Sequence, residues 1–384
     1  MTKPLGAVAV NVDSSSTRRQ NTVSTISRRT ALVGASGLAA ATAVGAPQGA
    51  TAAQGARGAK PGMPKNIRMT WFGISNWHYQ IGDIGILLDG AVGYPASTPN
   101  PEVVTKVRTA LQKTGSIEYV LLGHLHGDHS VDTPEWVKQT GATLIGSAAA
   151  CEEARAYGVP EHLLRPVKGG ERFQLSRYVE MHVVKWVHSV SVGEVSDLDG
   201  GIETFGFVLK VQTPAKELTM FFSDSGAGGS ELTKEHVVDG ENRGAPLSNL
   251  GLAMKAAGLS TFEIWQPGPE SRVVTQARVL VPTYQPKYLM PHHLGARGGF
   301  NLFGGLHYAF KPEEVPKLMS VLDDFDVPLV PPVNYFDAWV YDRNGLRSVD
   351  NARVKVSLGL PPEGPGPNPQ GPNPRAGDLE GPDD

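Results

Sequence analysis

Within the six residues His124-Leu125-His126-Gly127-Asp128-His129 the chain sets three imidazoles and a carboxylate. Imidazole and carboxylate are the ligands that suit Zn²⁺ at catalytic sites, where one position stays open for water. His124 and His126 stand two apart, so an extended backbone points both to one side. Asp128 and His129 follow the Gly127 turn and are placed to serve a second ion. Only 11 of the 384 residues are histidine, so this density marks a metal-binding loop rather than a chance run.

Two ions need further ligands, and the later chain offers them at the ends of β-forming runs. His188 closes the apolar run Val183–Val187, and Asp224 closes Leu218–Ser223 where it enters a glycine-rich loop. A carboxylate at Asp224 can bridge two cations. His292 and His293 follow Tyr288–Pro291 in the same strand-end position, and because adjacent side chains diverge, one of the two is the ligand. His182 lies six residues before His188 on one strand, about 20 Å away at roughly 3.3 Å per residue, and cannot share its metal.

The elements that must hold these residues alternate between short β-rich runs and helical stretches. Strands are expected at 68–72, 77–81, 85–89, 118–122, 143–145, 179–187, 205–212, 218–223, 288–290 and 338–341. Helices are expected from Pro101 to before Gly115, and over 134–139, 148–157, 271–281 and 312–325. A hairpin-rich first half, interleaved helices and a similar second half predict an α/β domain over residues 67–358, with helices outside packed sheets. No internal repeat is apparent.

The ends of the chain read differently. Arg28 and Arg29 stand directly before a weakly apolar run, Ala31–Ala46, with small residues at 50–53. That is the pattern of a twin-arginine signal peptide over residues 1–53, followed by a linker over 54–66. It predicts export by the twin-arginine machinery to the periplasm, cell envelope or exterior, with no stable membrane anchor after cleavage. The apolar run is too short to span a bilayer. Residues 359–384 are rich in Pro, Gly and Asn and are expected to be a disordered tail. Setting residues 1–53 aside leaves 30 Lys and Arg against 37 Asp and Glu, a net −7. Such a surface repels phosphate backbones and argues against nucleic acid as a partner. Cys151 is the single cysteine, so an intrachain disulfide is excluded.

His124, His126, Asp128, His129, His188, Asp224 and His293, in that order, resemble the full ligand set of the metallo-β-lactamase fold superfamily of hydrolases. The segment Thr70–Asp89 is similar to that family's first hairpin, and the resemblance spans most of residues 67–345. It implies a four-layer αββα fold, two packed mixed sheets with outer helices, and two Zn²⁺ ions as cofactors. Within the branch related to L-ascorbate-6-phosphate lactonase and N-acylphosphatidylethanolamine phospholipase D the last ligand sits in Pro-x-His, which favours His293 over His292. The same branch often has Gly-His-Ala where this chain has Gly73-Ile74-Ser75. β-Lactamases proper carry cysteine or serine at the place of Asp224, so antibiotic hydrolysis is not expected.

The implied chemistry is hydrolysis by a hydroxide held between two zinc ions about 3.5–4 Å apart, with Asp128 helping to orient it. A small carbonyl substrate, a lactone or ester, is preferred, because the ligand-bearing segments carry no cluster of Lys and Arg. A phosphodiesterase is the alternative enzyme, and a non-catalytic metal-binding protein the alternative of another class. Asp89 is a candidate to hold a ligating histidine from behind. Substrate contacts are expected from His78, Arg297, Phe300 and His307, with Trp77 and Trp265 as further candidates and residues 294–308 as a pocket lid.

Overall fold

The computed structural model describes residues 62–93, 97–188, 202–224, 228–238, 240–268, 270–293, 314–332 and 334–362. All of them belong to one unit, Gly49–Asp384. The expected signal peptide and lid, and all but the inner ends of the linker and tail, lie outside the described residues.

The first half runs β1 (Ile67–Trp71), β2 (Trp77–Ile81), β3 (Ile84–Leu88), α1 (Pro101–Leu111), β4 (Tyr119–Leu121), α2 (Gly127–Ser130), α3 (Thr133–Thr140), β5 (Thr143–Gly146), α4 (Ala148–Ala156) and β6 (Leu164–Pro166). The second runs β7 (Arg172–Ser176), β8 (Val179–Trp186), β9 (Thr204–Gln212), β10 (Glu217–Ser223), a hairpin of β11 (His236–Val238) and β12 (Glu241–Gly244), α5 (Pro246–Ala257), β13 (Ile264–Pro267), α6 (Glu270–Tyr284) and β14 (Tyr288–Leu289). Then come α7 (Glu314–Asp323), β15 (Ala338–Asp342), β16 (Gly345–Val349) and α8 (Ala352–Ser357). An eight-stranded sheet has the order β16-β15-β1-β2-β3-β4-β5-β6, and a six-stranded sheet the order β14-β13-β10-β9-β8-β7.

Period-two alternation sorts the side chains of the second sheet into two cores. Phe205, Phe207 and Leu209 of β9, with Met220 and Phe222 of β10, meet Met69, Trp71 and Tyr79 of the first sheet, so the sheets pack face to face. Val208 and Phe221, on the opposite face, pack under α5, α6 and α7 through Leu250, Met254, Val273, Leu280, Leu318 and Leu322. On the first sheet α1, α3 and α4 bury Val104, Val107, Trp136, Val137 and Ala154. The result is the helix–sheet–sheet–helix order of the metallo-β-lactamase fold.

Among the boundaries that differ from expectation, two have a clear physical reason. Helix α1 starts at Pro101 beneath an Asn100 side-chain cap but stops at Leu111, and the chain to Ile117 folds back over β2. Leu360, placed in the tail by composition, is buried in the first core and donates its N–H to the Lys355 carbonyl. Among the described residues no helix is long and apolar enough to cross a membrane.

Candidate metal centre

Strands β3 and β4 run parallel in the first sheet, and β10, β13 and β14 in the second, with β8 sharing their direction through two antiparallel pairings with β9. Their C-terminal ends therefore line one edge of each sheet, and each supplies chemistry there. Asp89 follows β3, His124 follows the end of β4, His188 lies just beyond β8, Asp224 directly follows β10, and His292 and His293 come after β14. The two edges are joined where the Phe205 N–H donates to the Gly123 carbonyl at 2.9 Å.

At that junction all seven expected ligands converge. Three sets have ligand atoms mutually within 4.8 Å: His124 with His126 and His188; His124 with His129 and Asp224; and Asp128 with His129 and His293. Asp224 shares His124 with the first set and His129 with the third, so its carboxylate stands between two candidate centres. His124, His129 and Asp224 form a buried floor, and His126, Asp128, His188 and His293 a half-buried rim.

The floor brings several polar atoms together at close range. His124 Nδ1 and Asp224 Oδ2 are in very close contact, and His124 Nε2 lies 3.1 Å from His126 Nδ1. Asp224 Oδ1 is buried without a hydrogen bond, although His129 Nδ1 stands 3.0 Å away. A buried acceptor left unpaired costs about 1–3 kcal/mol. Convergent lone pairs of this kind are what a divalent cation satisfies, and the donor set of imidazoles and carboxylates suits one.

The electrostatics agree. Burial, with His129, His188 and His126 nearby, holds His124 well below the usual imidazole range, so it offers an unprotonated nitrogen. Burial opposes ionisation of Asp128, but His129 and His293 draw it well below the usual carboxylate range. Burial likewise disfavours a charged His129, yet Asp224, Asp128 and Asp89 raise it well above the ordinary value. Burial and the neighbouring Asp224 push Asp89 up to about 7.

Asp89 takes the outer position considered for it. Its Oδ2 lies 2.8 Å from His129 Nδ1, and its Oδ1 accepts from the Gly123 N–H at 3.1 Å. Gly123 escaped the sequence reading. A Cβ there would stand 2.1 Å from Asp224 Cγ, so only glycine admits the carboxylate. Of the histidine pair, His293 joins the cluster, with Nε2 3.4 Å from Asp128 Oδ2. His292 is buried instead against the Phe222 ring and Gly268. His182 is bound to Glu180 at 2.6 Å, away from the cluster.

The expected substrate residues fare less well. His78 is not brought to the centre. Alternation in β2 sends Tyr79 inward to Gln266 but turns His78 and Gln80 to the outer face, where His78 Nε2 lies 2.7 Å from the Ser116 carbonyl oxygen. Trp77 is fully buried, stacked on Tyr79 and tilted against Trp339, and Trp265 is fully buried in the second core. Arg297, Phe300 and His307 lie outside the described residues.

Fold and cluster together are those of a metal-dependent hydrolase of the metallo-β-lactamase fold. The sequence is similar to UPF0173 metal-dependent hydrolases. One from Pyrobaculum calidifontis is 24% identical over 227 residues, 59% of this chain and 84% of the relative. Another, from Rhizobium meliloti, is 31% identical over 117 residues, 30% of this chain and 46% of the relative. Among solved structures, a metallo hydrolase from Ignicoccus hospitalis is 13% identical with a TM-score of 0.46, covering 72% of this chain and 99% of its own. No family model matches the sequence.

Proposed function

We propose that the chain is an exported dinuclear zinc hydrolase of a small carbonyl compound, a lactone or an ester. The observation that carries this reading is the pair of three-residue sets on either side of the buried Asp224. A single centre would leave one of those sets without a purpose. Zinc bound there supplies an activated water and polarises the substrate oxygen.

The residues themselves do the rest. Asp224 balances charge on the floor, where burial excludes competing water. Asp128, on the rim and held ionised by His129 and His293, is the carboxylate that would orient the attacking water. The half-buried His126, His188 and His293 mark the rim as the side from which a substrate would approach. The ligand-bearing segments hold no cluster of Lys and Arg, which favours a carbonyl over a phosphodiester. Arg28 and Arg29 support passage through the twin-arginine machinery. A reporter fused to residues 1–53 tests it: export is expected, and the double substitution Arg28→Lys with Arg29→Lys should abolish it.

The decisive experiment measures zinc content and hydrolysis of a chromogenic panel of lactones, esters, bis-aryl phosphates and β-lactams, for wild type and Asp224→Ala. Two equivalents of zinc and cleavage of a lactone or ester, lost in the variant, are expected. Cleavage of the phosphodiester alone would overturn the carbonyl assignment, and wild-type activity no greater than the variant's on every substrate would overturn the enzyme.

A further inference from the structure

Gly73-Ile74-Ser75 forms the turn that joins β1 to β2 and brings a buried hydroxyl up behind the metal cluster. Ser75 is fully buried at the turn between β1 and β2. Its Oγ donates to Asp89 Oδ2 at 2.5 Å and lies 2.7 Å from His129 Nδ1. The same Asp89 oxygen is 2.8 Å from that nitrogen. Hydroxyl, carboxylate and imidazole thus close a buried triangle behind one ligand of the centre formed by Asp128, His129 and His293.

The turn bearing Ser75 is fixed on every side. Its Ile74 carbonyl accepts from Trp71 Nε1 and from the backbone N–H of His293, both at 2.8 Å. Asn76 Oδ1 accepts from the N–H groups of Gly90 and Ala91, next to Asp89. Ile74, Asp89 and His293 all adopt left-handed backbone, with φ of 45°, 57° and 62°. Such angles are uncommon outside glycine, rarest for a β-branched residue like Ile74, and persist only where surrounding contacts over-determine them. One turn therefore reaches both histidines of this centre, His129 through Ser75 and His293 through Ile74.

We infer that Ser75 is a positioning residue for the Asp128–His129–His293 centre: with Asp89 it keeps the proton of His129 on Nδ1, so that Nε2 presents its lone pair to the metal. A histidine ligand's second nitrogen sets its tautomer and ring orientation, and losing such an outer partner typically costs 10- to 100-fold in metal affinity. Asp224 Oδ1 stands 3.0 Å from the same nitrogen, a third oxygen on that side of the ring, so the surroundings of Nδ1 favour a proton there and leave Nε2 for the metal. The inference rests on the two-centre reading of the ligand set.

The test is a competitive Zn²⁺ titration of the full chain against a chromophoric chelator, for wild type, Ser75→Ala and Ser75→Thr. Ser75→Ala is expected to weaken one equivalent 10- to 100-fold and leave the other within about twofold, with Ser75→Thr, which keeps the hydroxyl, recovering most of the loss. Equal weakening of both equivalents, or of neither, in a wild type that binds two overturns the role of Ser75 alone. A wild type that binds a single equivalent overturns the two-centre reading and this inference with it. Should Ser75→Ala fail to fold, ¹⁵N NMR of zinc-loaded wild type decides: a proton on Nδ1 of His129 is expected, and one on Nε2 refutes the assignment.

Discussion

A Cβ built on Gly123 would meet Asp224 Cγ and Oδ2 at 2.1 Å, while the Gly123 N–H donates to Asp89 and its carbonyl accepts from Phe205. Both backbone groups and the empty side are thus used at once, and an added methyl has nowhere to go but against the carboxylate. Gly123→Ala is expected to lower zinc affinity at least tenfold and to cost about 1–3 kcal/mol, the usual range for overpacking. Metal content and an apo-protein melt read the two effects separately. For the histidine pair, His293→Ala is expected to lose one zinc equivalent. His292→Ala should keep both and lose about 2–4 kcal/mol of stability through the void left beside Phe222. Zinc stoichiometry that falls in His292→Ala instead would reverse the assignment. That the seven candidate ligands come together was legible in the sequence because residue type and strand-end position carry their chemistry. Gly123 and Ser75 were not, because what they do depends on a side chain that approaches from another strand or the opposite sheet.

At the scale of elements, the loop between β3 and α1 is held by a residue from a different part of the chain. Asp132, fully buried just before α3, accepts from the N–H groups of Val92, Gly93 and Asn100 at 2.8, 2.5 and 2.8 Å. Asn100 in turn caps α1. Asp132→Ala would strand three inward N–H donors, so a loss of about 2–4 kcal/mol is expected from denaturant midpoints, with Asp132→Asn recovering part of it. A loss below about 0.5 kcal/mol would show that water replaces the carboxylate at no cost. Helices with a proline start and a clear apolar stripe, such as α1 and α3, were legible. Helix α5 was not, since Gly251 and several alanines blur its stripe, and β13 was missed because Ile264–Pro267 is buried throughout and shows no alternation. The outward turn of His78 was readable in principle from its alternation with Trp77 and Tyr79.

For the whole molecule, the alternation of β runs with helices gave the layer order, but which strands pair was hidden, because β15 returns to β1 across more than 200 residues and leaves no local trace. The two sheets are also joined by polar contacts whose partners are far apart in sequence. Tyr79 donates to Gln266 at 2.6 Å in the interior. Toward the surface, Glu263, just before β13, receives Lys216 and Lys287 at 2.7 Å each, and Lys216 Nζ lies 3.3 Å from the Tyr341 hydroxyl of β15. Burial pushes the Glu263 carboxyl up, yet the two ammonium groups and Tyr341 outweigh it and hold the carboxyl below its ordinary range. A folded-state value below the unfolded one means that Glu263 adds stability at pH above the unfolded value, about 4.3, and loses it as pH falls through the lowered folded value. Glu263→Gln is therefore expected to cost about 1–2 kcal/mol at pH 7, the lower part of the range for hydrogen bonds to charged groups once solvent screening of the exposed lysines is allowed for. The gap to wild type should close as pH falls through the unfolded value and on through the lowered folded value, below which the native carboxyl is protonated as well. Denaturant midpoints of both proteins across that range measure it. A gap that does not change with pH would mean that the side chain joins the sheets by packing alone.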